Sequence, residues 1–376
     1  MIEWREAGLA HAARWRSSGG IPAPRKVLAV DDTLTADAAY RLACEGAALL
    51  WRGDFQNARQ LLQALGRRVD RKARGGQPDP SGARFPEAFH RQRMAQAQRA
   101  RILGRLLIPF DAGHLIPLRR APDVRDACAE VFGESDEAYV LSLRELLGLI
   151  GAHEWRRQGV PIAALGARIH PHYGVFSPVR GEYVALVDEQ PLPPAAISGL
   201  AFDIGAGTGV LAAVLARRGV RRVVATDRDE RALACARDNA ARLGLGGAIE
   251  IVKADLFPPG RAPLIVCNPP WVPGKPSSAL EHAVYDPDSR MLRGFLAGLA
   301  AHLEPGGEGW LILSDLAEHL KLRSREALLA WIGQSGLRVL GRRDARPTHA
   351  RATDPDDPLH LARAAEITSL WRLGAA

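Results

Sequence analysis

Three glycines alternate with small residues directly after an apolar run in the second half of the chain. They are Gly205, Gly207 and Gly209, in the segment DIGAGTGV at 203–210. Glycines at a strand-to-helix turn permit a tight bend and let the backbone approach a ligand closely. The spacing is not the dinucleotide-binding fingerprint G-x-G-x-x-G, because position 210 is valine. Many such turns use glycine for packing alone, so the loop needs support from other residues.

Acidic and amide side chains end the next three apolar runs. Asp227 lies eighteen residues after the last of these glycines, where a carboxylate can accept both hydroxyls of a ribose or cap the following helix. Asp255 can accept from an adenine amino group while Leu256 covers the ring. Asn268 ends the fourth run and opens an Asn-Pro-Pro-Trp turn. One such residue is a common accident, whereas a series of them after a glycine loop indicates a ligand site.

These side chains meet at one edge only if the runs form a parallel sheet. Short β-rich runs alternate with amphipathic helical segments, which is typical of a mostly parallel sheet covered by helices on both faces. The predicted strands are 200–205, 222–227, 249–256, 263–270 and 308–314, with a terminal antiparallel hairpin from 337–347 and 365–373. The predicted fold class is therefore α/β, a Rossmann-like doubly wound sheet whose strand ends bind the ligand.

The first 165 residues are predicted to form a mainly helical domain. Four segments carry apolar residues at helical spacing, namely 35–51, 54–69, 88–107 and 142–157. Asp54 is a candidate cap for the second helix, and Ser142 with Glu145 makes an S-x-x-E start for the last. The Gly/Pro/Ser-rich stretch 73–86 is predicted to be an exposed loop.

Composition narrows the class of protein. The chain has 376 residues, 47% hydrophobic and 24% charged, so it can bury at least one full core. No apolar stretch is long enough to span a bilayer, and the four cysteines are scattered without CxxC or metal-ligand spacing. We therefore expect a cytoplasmic protein without a metal site.

The charge of the chain is basic and unevenly distributed. The formal net charge is +8, and residues 52–105 are dense in arginine and poor in carboxylates. This stretch can be a solvated helical face or a surface for nucleic acid, and the pattern favours neither.

Four motifs together resemble those of the class I S-adenosylmethionine-dependent methyltransferases. They are DIGAGTGV (203–210), VVATDRD (223–229), KADLF (253–257) and NPPW (268–271). The last is similar to the motif of the branch that methylates planar nitrogens. That branch includes HemK-like protein glutamine N5-methyltransferases and adenine N6 or guanine N2 methyltransferases of DNA or RNA. The lead-in HPHYGVFSPVRGEYVAL (170–186) is similar to that of HemK-like and small-domain members.

The resemblance covers roughly residues 165–376 and implies S-adenosylmethionine as the cofactor. The first motif would hold its methionine end, the second its ribose and the third its adenine. Phe176 and Pro178 would line the junction between cofactor and acceptor. The implied cofactor-binding set comprises Phe176, Pro178, Asp203, Gly205, Ala206, Gly207, Thr208, Gly209, Asp227, Arg228, Asp255, Leu256 and Asn268.

The resemblance also implies that the NPPW turn receives the target amino group. An amide or exocyclic amine nitrogen is a poor nucleophile, because its lone pair is delocalised. The Asn268 side-chain oxygen and the Pro269 carbonyl can accept its two N–H groups and stabilise the positive charge that develops there. Pro270 cannot donate and stiffens the turn. Trp271 offers a stacking face, worth about 1–3 kcal/mol for a base.

The favoured function is S-adenosylmethionine-dependent N-methylation, with residues 166–376 as methyltransferase domain and residues 1–165 as substrate-recognition domain. The favoured acceptor is a glutamine side chain in a protein of the translation machinery. An adenine or guanine amino group of RNA or DNA is the alternative, which the basic N-terminal stretch keeps open. A third hypothesis is a methyltransferase-like binding protein without catalysis; the intact Asp203, Asp227 and Asn268 count against it.

Other polar residues near these motifs have ordinary explanations. His170 and His172 flank the lead-in and are expected to be surface or capping residues. Tyr285 and Asp286 lie in the loop after the NPPW turn, where a substrate-gating segment would be, but loop structure explains them equally well. Cys267 is expected to point into the core.

Overall fold

The computed structural model describes residues 1–73, 85–276, 280–347, 357 and 359–376. The chain divides into two compact units, Met1–Pro78 with His90–Glu154 and Asp79–Phe89 with Trp155–Ala376. Each unit contains its own large β-sheet. In the described residues, no helix combines the length and the apolar character that crossing a membrane requires. The assignment of substrate recognition to 1–165 and of methyl transfer to 166–376 stays a prediction.

The N-terminal part of the chain alternates strands and helices. Its strands are β1 (Ile2–Glu6), β2 (Leu9–Trp15), β3 (Val27–Val30), β4 (Ala48–Trp51), β5 (Leu106–Phe110) and β6 (Tyr139–Ser142). Its helices are α1 (Ala36–Cys44), α2 (Phe55–Ala73), α3 (Phe85–Leu103), α4 (Arg125–Phe132) and α5 (Leu143–Gln158). The strands form one mixed sheet in the order β1-β2-β6-β5-β4-β3.

The prediction of a mainly helical N-terminal domain is therefore wrong in one respect. All four predicted helices form, but a six-stranded sheet lies among them. Strands β4 and β5 occupy the ends of segments predicted to be wholly helical, 35–51 and 88–107. Every residue of both strands is buried, and periodicity alone cannot distinguish a short buried strand from the end of a helix.

The predicted helix starts are confirmed. The Asp54 carboxylate accepts the Gln56 backbone N–H at 2.8 Å, and the Ser142 hydroxyl accepts that of Glu145 at 3.5 Å. Of the predicted loop at 73–86, residues 74–84 lie outside the described residues.

The C-terminal part of the chain carries the predicted doubly wound sheet. The strands of this part of the chain are β7 (Val160–Ile162), β8 (Ala167–Ile169), β9 (Leu200–Ile204), β10 (Arg222–Asp227), β11 (Ile249–Lys253), β12 (Ala262–Cys267), β13 (Leu303–Ser314), β14 (Leu337–Ala345) and β15 (Thr368–Ala375). Its helices are α6 (Glu182–Glu189), α7 (Val210–Arg217), α8 (Glu230–Arg242), α9 (Arg290–His302), α10 (Leu316–His319), α11 (Arg325–Gln334) and α12 (His360–Ala364). The order β11-β10-β9-β12-β13-β15-β14 is parallel except where β15 pairs with its two neighbours. The predicted α/β fold with a terminal antiparallel hairpin is confirmed.

Alternate residues of the central strands face opposite sides of this sheet. On β12, Leu264 and Val266 belong to an apolar cluster that includes residues of α6 and α7. Ile265 and Cys267 belong to a second cluster, which includes residues of α9 and α11. Both faces are therefore packed, which explains why these strands are continuous apolar runs. The expectation that Cys267 lies in the core is confirmed.

Candidate active site

Four neighbouring strands of the second sheet end side by side. Strand β9 is parallel to both β10 and β12, and β10 is parallel to β11. In this register, Ile204 is the partner of Thr226 on one side and of Cys267 on the other. The segments that follow the four strands therefore share one edge. The structure brings together there the site segments 203–209, 227–228, 255–256 and 268–271.

The glycine loop between β9 and α7 has the backbone that its sequence predicts. Gly205, Gly207 and Gly209 have φ of 77°, 54° and 78°, where other residues are strained. A Cβ at Gly209 would lie 3.2 Å from the Ala236 side chain, so this glycine lets α8 pack closely. A Cβ at Gly207 would meet nothing within 4 Å. The loop therefore borders open space at its middle glycine.

Strand β10 holds the loop in this shape. The backbone N–H groups of Gly205 and Ala206 both donate to the Thr226 carbonyl, at 2.9 and 2.8 Å. The Gly207 N–H donates to Asp227 Oδ2 at 3.1 Å. Asp227, the residue predicted to bind the ribose, therefore also fixes the glycine loop through one of its carboxylate oxygens.

Asp227 is not the cap of the next helix. That cap is Asp229, whose side chain accepts the Arg231 N–H. Asp227 Oδ1 accepts the Asp229 backbone N–H at 2.9 Å, and Arg228 between them is exposed. The alternative explanation of Asp227 as a helix cap is therefore excluded by the geometry, while ribose binding stays a prediction.

Asp203 is a buried carboxyl without a cation. It is 1% exposed, and its Oδ2 accepts the Ala212 backbone N–H at 3.0 Å. No ion pair joins it to a cation in the described part of the chain. Burial raises the pKa of Asp203 to about 7; the Ala212 hydrogen bond opposes this shift and the charge of Asp227 adds to it. A cationic group of a ligand would stabilise the ionised form.

Asp255 and Leu256 follow β11 at the far side of this edge. Leu256 has φ of 78°, and its carbonyl accepts the Thr226 hydroxyl at 2.5 Å. Asp255 Oδ2 lies 3.3 Å from the Arg290 guanidinium, and both side chains are largely exposed. Asp255 is therefore accessible for the predicted contact with adenine, with Arg290 as a neighbouring cation that sequence reasoning missed.

The lead-in segment is fastened to α8 and to the glycine loop. The Asn239 side chain accepts the His170 backbone N–H at 2.7 Å and donates to the Thr208 carbonyl at 3.1 Å. His172 Nε2 lies 3.1 Å from Asp238 Oδ2. The histidines therefore have structural contacts. Asn239, which is 1% exposed, was missed although it interrupts the apolar face of α8.

Phe176 and Pro178 belong to the lead-in segment and precede α6 in the chain. Phe176 is half-buried and Pro178 is buried. Their placement at the junction of cofactor and acceptor stays a prediction.

The NPPW turn follows β12 and has an internal hydrogen bond. The indole N–H of Trp271 donates to Asn268 Oδ1 at 2.8 Å. The Arg180 guanidinium lies over the Trp271 ring, 4.9 Å from its centroid. Pro269 is buried, whereas Asn268 and Pro270 are half-buried. One face of the predicted stacking residue is therefore already covered by Arg180.

Residues beyond the motif complete this side of the site. Val272 pairs with Tyr285 in a short parallel bridge, and the Phe89 ring lies 6.2 Å from that of Tyr285. The Asp286 carboxylate accepts the Met291 N–H at 2.9 Å at the start of α9, so Asp286 has a structural role. Phe89 lies on α3, far from Tyr285 in the sequence, so the sequence gave no signal of this contact.

The residues at the edge fit the implied cofactor. S-adenosylmethionine ends in an ammonium and a carboxylate at one side and in ribose and adenine at the other. Asp203 is a buried carboxyl for which the described residues supply no cation. Gly207 borders open space, and Asp227 and Asp255 are acceptors at neighbouring strand ends. These residues would hold the ammonium, the methionine backbone, the ribose and the adenine.

Part of the chain matches a known family and several known proteins. Residues 166–330 match the model of the methyltransferase small domain family. The chain is 37% identical over 120 residues to a release factor glutamine methyltransferase of Cereibacter sphaeroides, covering 28% of this chain and 43% of the relative.

Two further relatives are described as acting on RNA. The chain is 32% identical over 137 residues to a tRNA1(Val) (adenine(37)-N6)-methyltransferase of Bacteroides thetaiotaomicron, covering 33% of this chain and 56% of the relative. It is 33% identical over 176 residues to ribosomal RNA small subunit methyltransferase C of Pseudomonas aeruginosa, covering 45% and 48%. The chain thus spans roughly half the length of these relatives.

Proposed function

Because residues 166–330 form a class I S-adenosylmethionine-dependent methyltransferase domain of the HemK-like branch, we propose that this protein methylates a planar amide or amine nitrogen. The observation that carries the proposal is the position of the NPPW turn. Asn268 follows the strand directly beside β9, whose end carries Asp203 and the glycine loop. A methyl group bound over that loop and a nitrogen bound at the turn would then be neighbours.

The turn supplies acceptors and no base. The Asn268 side-chain oxygen and the Pro269 carbonyl accept the two N–H groups of the target, so its lone pair is directed at the methyl group. The same oxygens stabilise the positive charge that grows on the nitrogen, which is transition-state stabilisation. When bound, S-adenosylmethionine would supply the methyl group: the N–CH3 bond would form as the S–CH3 bond breaks, neutral S-adenosylhomocysteine would leave, and the nitrogen would then lose one proton to water. Holding nitrogen and methyl in line accounts for much of the rate.

A protein glutamine is the favoured acceptor. The Trp271 ring has one face under Arg180 and its N–H on Asn268, so a base has at most one face to stack on. A glutamine amide needs only the two acceptors. The release factor glutamine methyltransferase among the relatives supports this choice.

An amino group of a nucleic acid base is the second candidate, and the basic N-terminal stretch favours it. Helices α2 and α3 carry much of the arginine of residues 52–105, and Arg91 and Arg101 on α3 are exposed. Such a surface suits a phosphate backbone.

A labelling experiment decides between the two. The protein and methyl-labelled S-adenosylmethionine are incubated with extract of a strain that lacks the gene, and the product is treated with protease or nuclease. Label released only by protease supports glutamine. Label released only by nuclease excludes it in favour of a base. No label in either fraction contradicts the proposal and leaves the non-catalytic binding protein.

Asn268→Ala tests the mechanism on whichever acceptor is found. We expect the transfer rate to fall about 10²- to 10³-fold, as for other lost transition-state hydrogen bonds, while calorimetry shows unchanged affinity for S-adenosylhomocysteine. Asn57→Ala is the control, because the Asn57 amide donates to Asp32 in the first unit and is not part of the NPPW turn. An unchanged rate in Asn268→Ala would mean that the turn does not bind the target.

A further inference from the structure

Trp271 is held on several sides, as a positioning residue would be. We infer that its main role is to fix the orientation of the Asn268 amide, and that Arg180 with Glu182 and Glu366 fixes Trp271 in turn. The inference rests on the proposed function, because Asn268 is the residue that it assigns to the target nitrogen.

The hydrogen bond between Trp271 and Asn268 defines which way the amide points. An indole N–H can only donate, so the atom 2.8 Å away must be the amide oxygen and not the amide nitrogen. A carbonyl oxygen has two lone pairs. The indole takes one and leaves the other for an N–H of the target. Rotation of the amide by half a turn would present its NH₂ group instead, which repels the target N–H.

Arg180 is itself fixed by two buried carboxylates. Its Nε donates to Glu182 Oε1 at 2.9 Å and its Nη2 to Glu366 Oε1 at 3.0 Å. The Glu182 and Glu366 side chains are 6% and 0% exposed. The Ser314 hydroxyl also donates to Glu366 Oε1, at 2.7 Å. Charge-assisted bonds in such a setting hold a planar guanidinium in one orientation, and here its carbon lies over the indole ring, 4.9 Å from the centroid.

The other groups around Trp271 are apolar residues at its ring and an arginine at its backbone carbonyl. The ring packs against three core clusters, one of which contains Val272 and Leu316. Nη1 of Arg323, a residue only 5% exposed, lies 3.5 Å from the Trp271 carbonyl. The indole is therefore wedged into the protein. A phenylalanine or tyrosine at this position has no ring N–H in the plane and could not orient the amide in this way.

The hydrogen bond can be tested without any acceptor. The indole N–H resonance of Trp271 is assigned in a ¹H–¹⁵N spectrum of the deuterated full chain as the signal that is missing in Trp271→Phe. The rate at which this indole hydrogen exchanges with solvent is then measured. We expect exchange to be about tenfold faster in Asn268→Ala and in Arg180→Gln. Arg180→Lys, which keeps the charge between Glu182 and Glu366, covers the case in which Arg180→Gln does not fold. It should give a smaller increase.

Arg293→Gln is the matched control for the arginine. Its guanidinium also lies over an indole, 5.3 Å from the Trp331 ring centroid, but that pair is not part of the NPPW turn. This variant should leave the Trp271 resonance and its exchange unchanged. If the resonance and the exchange are also unchanged in Asn268→Ala, the inference is wrong, whatever the acceptor is.

A second measurement separates positioning from stacking. Trp271 is replaced by benzothienylalanine, which keeps the size of the bicyclic ring and lacks the N–H. Positioning predicts a kcat about three- to tenfold lower, the effect of one hydrogen bond, with KM and S-adenosylhomocysteine affinity unchanged. In the Asn268→Ala background the same replacement should have no further effect. Unchanged kcat in the single variant overturns the inference, whereas absence of transfer by the unmodified protein contradicts only the proposed function.

Discussion

Two buried aspartates, one in each unit, lie close to the point where a strand leads into a helix, and their surroundings are opposite. Asp54 lies between β4 and α2 and is 3% exposed. It accepts the Gln56 N–H and lies 2.6 Å from Arg120 Nε, and the Arg120 hydrogen bond lowers its pKa. Asp203, near the end of β9, has one backbone N–H and a pKa raised to about 7.

The difference is that the Asp54 carboxylate has a cation of its own unit beside it, whereas the Asp203 carboxyl is buried with one backbone hydrogen bond. A buried ion without a counter-ion costs stability, so folding alone gives no reason for Asp203 to be there. The charge of Asp54 is balanced within its own unit. That of Asp203 has no ion pair within the described residues, and its contact with the methionine end of the cofactor stays a prediction. Strongly perturbed carboxyls of this kind are typical of binding sites.

The largest expected effect comes from removing the charge of Asp203. Asp203→Asn should weaken S-adenosylhomocysteine binding about 10- to 100-fold, because a charge-assisted hydrogen bond to the ammonium is lost. The midpoint of thermal unfolding of the free protein should not fall, since no protein cation loses its partner. Calorimetry and thermal unfolding measure the two effects.

Asp54→Asn is the matched control for that variant. It should leave the affinity unchanged and lower the midpoint of unfolding, because the ion pair with Arg120 is lost. If both variants changed only stability, the contrast between the two aspartates would have no functional meaning.

The next effect is a dependence of cofactor affinity on pH. The free protein carries Asp203 with a pKa of about 7, and an ammonium prefers the ionised form. Affinity for S-adenosylhomocysteine should therefore rise about tenfold from pH 5.5 to pH 7, measured by calorimetry. Asp203→Asn should remove most of this rise, and an equal rise in that variant would assign it to another group.

The raised pKa of Asp203 also affects the stability of the free protein. This contribution falls as the pH rises, whereas the affinity for the cofactor increases. The folded pKa lies above the ordinary value of 3.8, so the folded state binds the extra proton. The contribution of Asp203 to stability is fully present below that ordinary value and is lost as the pH rises through about 7. Because the affinity for S-adenosylhomocysteine is higher at pH 7 than at pH 5.5, a given concentration of this ligand should raise the stability more at pH 7.

The smallest expected effect concerns two glycines that differ only in their surroundings. Gly207 and Gly166 have φ of 54° and 57°, and neither has an atom within 4 Å of an added Cβ. Alanine at either position should cost about 1–2 kcal/mol of stability through backbone strain. Only Gly207→Ala should also weaken S-adenosylhomocysteine binding, by about fivefold, because its methyl group would occupy space next to the ligand. Equal affinities of the two variants would place the methionine end of the cofactor elsewhere.

The residues of the seven-stranded sheet were predictable because their signals are local. A strand buried on both faces is an apolar run, a turn to a helix needs glycine, and the acid or amide follows at the strand end. Neighbouring parallel strands then bring Asp203, Asp227 and Asn268 to one edge. Strands β4 and β5 of the six-stranded sheet were missed because they are short buried runs that begin within a few residues of a helix end.

The amino-acid sequence alone determined the class of this protein, namely its cofactor and its fold around the glycine loop. The kind of atom that the NPPW turn suits stays a prediction of the same sequence. Tertiary structure decided how the turn is held. Arg180 reaches Glu366 across 186 positions of the chain, and Phe89 reaches Tyr285. Such contacts leave no periodic trace in a sequence, because they depend on which surfaces meet after folding and not on the spacing of neighbouring residues.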